Sequence, residues 1–123
     1  MTPQRPYLLR AIYEWIVDNE ETPYILVNPF SEGVSVPSSA IIDDKVVLNI
    51  SPMAVKALDL GFEAVVFSCR FSGVEHSVYL PIGSILSIYS RDSGRGFEFD
   101  DSEYPVDEGG SKEERAKPKL ELV

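Results

Sequence analysis

The chain has 123 residues, 44% of them apolar, a length and composition that suit one domain with its own core. It carries 20 Asp and Glu residues against 11 Lys and Arg residues, a formal net charge of −9. Because proteins bind nucleic acids and anionic membranes mainly through basic side chains, this excess of carboxylates argues against both as partners.

The first predicted element is a helix over residues 5–21. Pro6 suits a first helical turn, because its missing N–H would have no helical partner there. Thr22 precedes a proline, which disfavours the helical conformation and ends the run. The apolar side chains recur at helical spacing on one predicted stripe: Leu8, Ala11 or Ile12, Trp15 and Ile16.

Short strands are predicted in the rest of the apolar sequence, which stops at Phe99. They cover residues 22–30, 34–37, 46–50, 62–71, 74–81, 85–89 and 97–99. Asp43-Asp44 and Ser72-Gly73 predict turns, and Ser51 predicts the start of a short helical turn that Gly61 ends. Residues 1–99 are therefore predicted to form a mainly β domain with an N-terminal α-helix, its sheet closed into a small barrel.

A change of composition marks the C-terminal part. Residues 100–117 hold seven acids, three bases and two adjacent glycines, which predicts a flexible acidic linker. In residues 118–123, Leu120, Leu122 and Val123 restore hydrophobicity, as in a tethered docking motif. Composition alone supports equally the alternative that this C-terminus has no docking function.

The chain offers little catalytic chemistry. Cys69 and His76 lie in neighbouring predicted strands and allow a Cys–His pair, as in a small hydrolase, although a core role for Cys69 is favoured. One histidine and one cysteine cannot build a closed zinc site. We therefore predict a protein that is not an enzyme and holds no metal or cofactor.

The predicted location is the cytoplasm. A single cysteine excludes an intramolecular disulfide, which fits a reducing compartment. Arg10, Glu14 and Asp18 interrupt the N-terminal apolar residues, unlike in a signal peptide, and no apolar segment is long enough to span a bilayer.

Two features point to partners. Tyr7, Tyr13 and Trp15 make the helix apolar on more than one side, which predicts a helix-to-helix homodimer; the alternative is that the barrel's open end covers them. Arg70 stands in an apolar strand on the face opposite Phe67. It is either a ligand for a bound peptide's carbonyl or carboxylate groups or a solvated outer residue.

Longer segments then resemble a known family. RPYLLRAIYEWIVDN, TPYILVN, GVSVP, VVLNISPMAV, FSCRFSGVEHSVYLP, ILSIYSRDSGRG and KPKLELV are similar, in order, to the stringent starvation protein B (SspB) family. The resemblance implies an Sm-like barrel with an N-terminal dimerisation helix. It implies an adaptor that captures the ssrA degradation tag and delivers tagged proteins to the ClpXP protease, and it leaves room for other substrate peptides.

The resemblance also implies residue roles. The substrate-peptide groove would involve Val46, Leu48, Ile50, Ala54, Phe67 and Arg70. The dimer helix would use Tyr7, Leu8, Ala11, Ile12 and Trp15. The motif that docks on the ClpX N-terminal domain would consist of Pro118, Leu120, Leu122 and Val123. Glu121, within this motif, departs from the family pattern. The alternative function is an Sm-like RNA-binding protein, which the fold permits and the acidic charge disfavours.

Overall fold

A computed structural model of the protein describes residues 2–99; the predicted linker (100–117) and docking motif (118–123) lie outside the described residues. One α-helix, α1, spans Arg5–Asp18. The strands that follow it are β1 (Pro23–Val27), β2 (Ile41–Ile42), β3 (Lys45–Asn49), β4 (Lys56–Leu60), β5 (Ala64–Phe71), β6 (Val74–Pro81), β7 (Ile85–Ser90) and β8 (Gly96–Glu98). No helix in this part of the chain is long and apolar enough to cross a membrane.

The strands form two antiparallel sheets. The larger sheet has the order β2-β3-β1-β7-β8 and the smaller one β4-β5-β6. The prediction of a mainly β protein with one N-terminal helix is confirmed. The barrel is supported only loosely, because the strand ladders of residues 2–99 do not join the two sheets into a closed ring.

The core is built by strand alternation. In β1 and β3 every second side chain is buried, as a sheet with one face on the core requires. The helix contributes Leu9 and Ile16 to this core. Of the predicted helical stripe, Ile16 is buried, whereas Ala11 and Trp15 are exposed, so the helix is rotated away from the expected orientation.

Local backbone conformations explain the element bounds. α1 ends at Asp18 rather than at residue 21 because Glu20 adopts a left-handed φ of 62°. The Glu21 N–H then donates to the Ile16 carbonyl at 3.0 Å, which closes the helix end. Both predicted turns are confirmed: Asp43 and Asp44, like Ser72 and Gly73, have positive φ between paired strands.

Two predicted elements differ from the structure. The helical turn expected up to Gly61 is wrong: the turn ends at Ala54, whose N–H donates to the Ser51 carbonyl at 2.9 Å, and β4 follows. Pairing with β5 overrides the helix propensity of this segment. The weak strand at 34–37 is reduced to one isolated bridge between Ser35 and Tyr79.

A buried arginine holds the helix on the larger sheet. Arg5 is 3% exposed. Its Nη1 donates to the carbonyls of Ile85 at 3.0 Å and Gly83 at 3.4 Å. Its guanidinium also lies 5.1 Å from the ring centroid of Phe99. These contacts satisfy a charge that would otherwise be costly to bury, and they fix the start of α1 beside β7 and β8.

Candidate functional site

The larger sheet leaves part of strand β3 unpaired. β1 pairs with Val46 to Asn49, but β2 pairs only with Lys45 and Val46. Within residues 2–99, Val47 and Asn49 therefore have no neighbouring strand on the β2 side. The Ile50 N–H donates to the Pro23 carbonyl at 3.0 Å, which sets the alternation of the ladder. Val46 and Leu48 thus bond to β1, whereas Val47 and Asn49 direct their backbone groups outward.

Exposed apolar side chains lie on this open edge and in the loop that follows it. Val47 is 47% exposed, and Met53, in the loop that leaves β3, is 97% exposed. Ala54, the next residue of that loop, is exposed as well. An unpaired strand edge flanked by apolar side chains can take up an extended peptide, because the peptide backbone completes the ladder.

Four of the predicted groove residues are buried. Val46, Leu48, Ile50 and Phe67 are between 0% and 3% exposed and belong to the core. Strand alternation explains their burial, since the same periodicity that exposes Val47 turns its neighbours inward. Their side chains pack in the core and offer no surface to a peptide in this conformation.

The other two predicted groove residues are exposed at one corner of the smaller sheet. Lys56 of β4 pairs with Ser68 of β5, so Ala54 lies two residues before this pair and Arg70 two residues after it. Arg70 faces outward, as its alternation predicts, opposite Glu75 of β6. Its Nη1 donates to the Gly73 carbonyl at 3.3 Å, an exposed contact that a ligand carboxylate can displace.

The possible Cys–His pair is not activated. Cys69 and His76 are opposite each other in β5 and β6. Burial raises the pKa of the Cys69 thiol, which disfavours the thiolate that a nucleophile needs. The His76 ring packs against Phe71 with 6.1 Å between centroids. No group of potential metal ligands is formed by the side chains of residues 2–99.

The exposed face of α1 carries the predicted dimer residues. Tyr7, Ala11 and Trp15, spaced four residues apart, are exposed. Leu8 and Ile12 on the adjoining flank are half-buried. The guanidinium of Arg95 lies 5.9 Å from the ring centroid of Trp15.

Two cavities flank the helix, away from the β3 edge. One, of about 370 Å³, lies between the helix and β4. The other, of about 130 Å³, lies beside the end of α1 and the β7–β8 loop. There Glu21 accepts hydrogen bonds from the hydroxyls of Ser90 at 2.6 Å and Ser93 at 2.8 Å. These two bonds hold the pKa of the Glu21 carboxyl below its usual value.

Sequence reasoning missed the residues of the open edge. It named Val46 and Leu48 and passed over Val47 and Asn49, which lie on the accessible side. The alternation of the VVLN segment puts Val46 and Val47 on opposite faces but does not say which face is the outer one. The absence of a partner strand beyond Val46 depends on the length of β2, which residue patterns do not specify.

These features define a small β-rich domain with an exposed helix face and an open strand edge, a class suited to binding peptides and protein partners. The family model described as "Stringent starvation protein B" matches residues 3–121, and the chain belongs to this SspB family. A curated relative, the "Stringent starvation protein B homolog" of Haemophilus influenzae, is 44% identical over 102 residues. That alignment covers 83% of this chain and 68% of the relative.

Proposed function

We propose that the protein is a non-enzymatic adaptor that binds the ssrA degradation tag and delivers tagged proteins to the ClpXP protease. The observation that carries this proposal is membership of the SspB family over residues 3–121. The open edge of β3 supports it independently, because it provides a place for an extended peptide.

The tag peptide adds to the larger sheet as a strand beside β3. The outward backbone groups of Val47 and Asn49 pair with the peptide backbone, while Met53 and Ala54 contact apolar peptide side chains. Arg70 binds a peptide carboxylate or carbonyl group. Val46, Leu48, Ile50 and Phe67 hold the strands that form this surface from the core side.

The other parts of the chain raise the effective concentration of substrate at the protease. Residues 100–117 act as a spacer, and Pro118, Leu120, Leu122 and Val123 dock on the N-terminal domain of ClpX. A flexible spacer of 18 residues has a root-mean-square reach of about 20–25 Å, so two weak contacts reinforce each other. A homodimer through the α1 face presents two docking motifs, and the protein works in the cytoplasm.

Fluorescence anisotropy with a labelled ssrA peptide tests the first half of this function. We expect the ssrA peptide to bind the full chain saturably, and a scrambled peptide of the same composition not to bind. Absence of binding would overturn the assignment. Degradation of an ssrA-tagged substrate by ClpXP tests the second half: deletion of residues 118–123 should preserve peptide affinity and abolish the stimulation of degradation. Stimulation that survives the deletion would refute the docking role.

A further inference from the structure

The larger of the two cavities beside α1 lies between the helix and the free edge of β4. Within residues 2–99, β4 pairs only with β5. The Gly61 N–H donates to the Ala64 carbonyl at 3.1 Å, so strand alternation directs the backbone groups of Leu60 away from β5. The side chains of Leu58 and Leu60 are half-buried and pack against the core. This α1–β4 cavity, of about 370 Å³, therefore has an apolar wall and an open strand edge.

Arg10 lines the α1–β4 cavity with its guanidinium group held in place. Its Nε donates to the Leu60 carbonyl at 2.8 Å, and the guanidinium lies 4.3 Å from the ring centroid of Phe62. Within the part of the chain that the structure describes, its two Nη atoms donate to no acceptor. A guanidinium that is fixed on one side and has free Nη donors on the other is preorganised for a carboxylate.

The helix wall of the cavity continues as a row of charges. Arg10 and Glu14 both line the cavity and, four residues apart, are about 6 Å apart along the helix axis. Asp18, one turn further on, is exposed and extends the row. One positive charge is therefore followed by two negative charges. A complementary ligand needs a carboxylate at Arg10 and cations beside the two acidic residues.

This complementary pattern occurs in the sequence of residues 117–123. In an extended segment alternate side chains share a face and are about 6.7 Å apart, close to the spacing of the helix row. Glu121, which departs from the family pattern, provides the carboxylate, and two lysines precede it at alternate positions. The charged face of the segment consists of Lys117, Lys119 and Glu121, and the apolar face of Pro118, Leu120 and Leu122.

We propose that residues 117–123 bind in the α1–β4 cavity of their own chain and that this contact keeps the docking motif from binding ClpX. The segment runs antiparallel to α1, with its apolar face on Leu58 and Leu60. Its charged face forms three pairs with the helix row: Glu121 with Arg10, Lys119 with Glu14, and Lys117 with Asp18. The competition with ClpX rests on the docking role in the proposed function, whereas the contact within the chain does not.

Reach favours this occupant. Phe99, the last described residue, lies beside the start of α1, 5.1 Å from the Arg5 guanidinium. Arg10 is about 7.5 Å further along a helix that is about 10–12 Å wide, so the path from Phe99 to the cavity is about 20 Å. Residues 100–116 form a connection of 17 residues, and a coil of this length has a root-mean-square reach of about 20–25 Å. Tethering raises the effective concentration, so individually weak exposed ion pairs suffice.

Paramagnetic relaxation enhancement in the full chain tests the contact. A nitroxide spin label is attached to Ala116→Cys in a Cys69→Ser background. We expect the label to broaden the amide signals of Val17 and Asp18, at the end of the helix row, and to leave that of Val47, on the β3 edge, sharp. Absence of broadening at Val17 and Asp18, or equal broadening at all three amides, would overturn the proposal.

Charge reversal separates a specific contact from a passing one. Glu14→Lys, at an exposed position, should abolish the broadening, because Lys119 then meets a like charge. The double variant Glu14→Lys with Lys119→Glu should restore it. The matched control Glu32→Lys, an exposed site in a loop, should leave it unchanged. Broadening that persists in Glu14→Lys would contradict the pairing with the helix row.

Titration of the full chain with ClpX tests the competition. Glu14→Lys lies outside the docking motif and should bind ClpX at least about twofold more tightly than the wild type, because the apparent affinity is reduced by the closed fraction. Glu32→Lys should bind like the wild type. Equal affinities of Glu14→Lys and the wild type would overturn the competition. If a synthetic peptide of residues 117–123 does not bind ClpX, the docking role in the proposed function fails, and the spin label still decides the contact within the chain.

Discussion

Replacement of Phe67 by alanine distinguishes a core residue from a groove residue. Phe67 is 2% exposed and lies on the inner face of β5, opposite Val78 of β6. Truncation of a buried phenylalanine removes its transfer free energy and leaves a cavity, at a cost of about 3–5 kcal/mol. For a domain of this size each kcal/mol lowers the melting temperature by about 4–8 °C. Phe67→Ala should therefore melt at least about 12 °C below the wild type, if it folds at all.

Phe67→Leu makes the test independent of a folding failure. Leucine keeps most of the buried volume, so this variant should melt between the wild type and Phe67→Ala. Thermal melts followed by circular dichroism give the stabilities, and anisotropy titration below both transitions gives the affinity for the ssrA peptide. We expect Phe67→Leu to bind the peptide as tightly as the wild type. An unchanged melting temperature with a large loss of affinity would show that the Phe67 side chain faces the peptide, and would refute the reasoning from burial.

Three further variants have distinct expected results. Ala57 has a φ of 55°, a conformation that costs an L-residue about 1–2 kcal/mol, so Ala57→Gly should raise the melting temperature. The control Lys56→Gly, at a position without positive φ, should lower the melting temperature. A lower melting temperature for Ala57→Gly would contradict the strain at this position. The depressed pKa of Glu21 stabilises the fold above the ordinary carboxyl pKa, and this contribution is lost as the pH falls through the folded-state pKa. Glu21→Gln should therefore melt below the wild type at neutral pH and approach it on acidification; a gap that widens in acid would refute this. Arg70→Ala should weaken ssrA peptide binding by about tenfold, as expected for a lost charged hydrogen bond, and Arg91→Ala, at an exposed site, should leave it unchanged. If Arg70→Ala bound the ssrA peptide as tightly as the wild type, Arg70 would not be part of the site.

Most of the strands were predictable, because strand-forming residues and the turn residues that bound them mark these strands in the sequence itself. β6 has the predicted bounds, and β-branched and aromatic residues with left-handed turn positions define β5, β6 and the hairpin between them. β4 was not predictable in this way. The segment AVKAL contains good helix formers. It is a strand because it pairs with β5, and this tertiary contact cannot be read from the propensities of its own residues.

The site was predictable in its segments and not in its side chains. Alternation correctly placed Arg70 and Phe67 on opposite faces. The inner or outer position of Val46 and Val47 depends on which sheet face the core occupies, a tertiary property. The same holds for Arg5, whose burial depends on carbonyls of residues 83 and 85, far along the chain.

Amide hydrogen exchange followed by nuclear magnetic resonance tests the central claim most directly. In the free protein the Leu48 N–H is protected by β1, whereas the N–H groups of Val47 and Asn49 face outward and should exchange faster. Saturation with the ssrA peptide should slow exchange at Val47 and Asn49 and leave Leu48 little changed. Peptide binding without protection at Val47 and Asn49 would contradict the β3 site, and no binding at all would contradict the adaptor function.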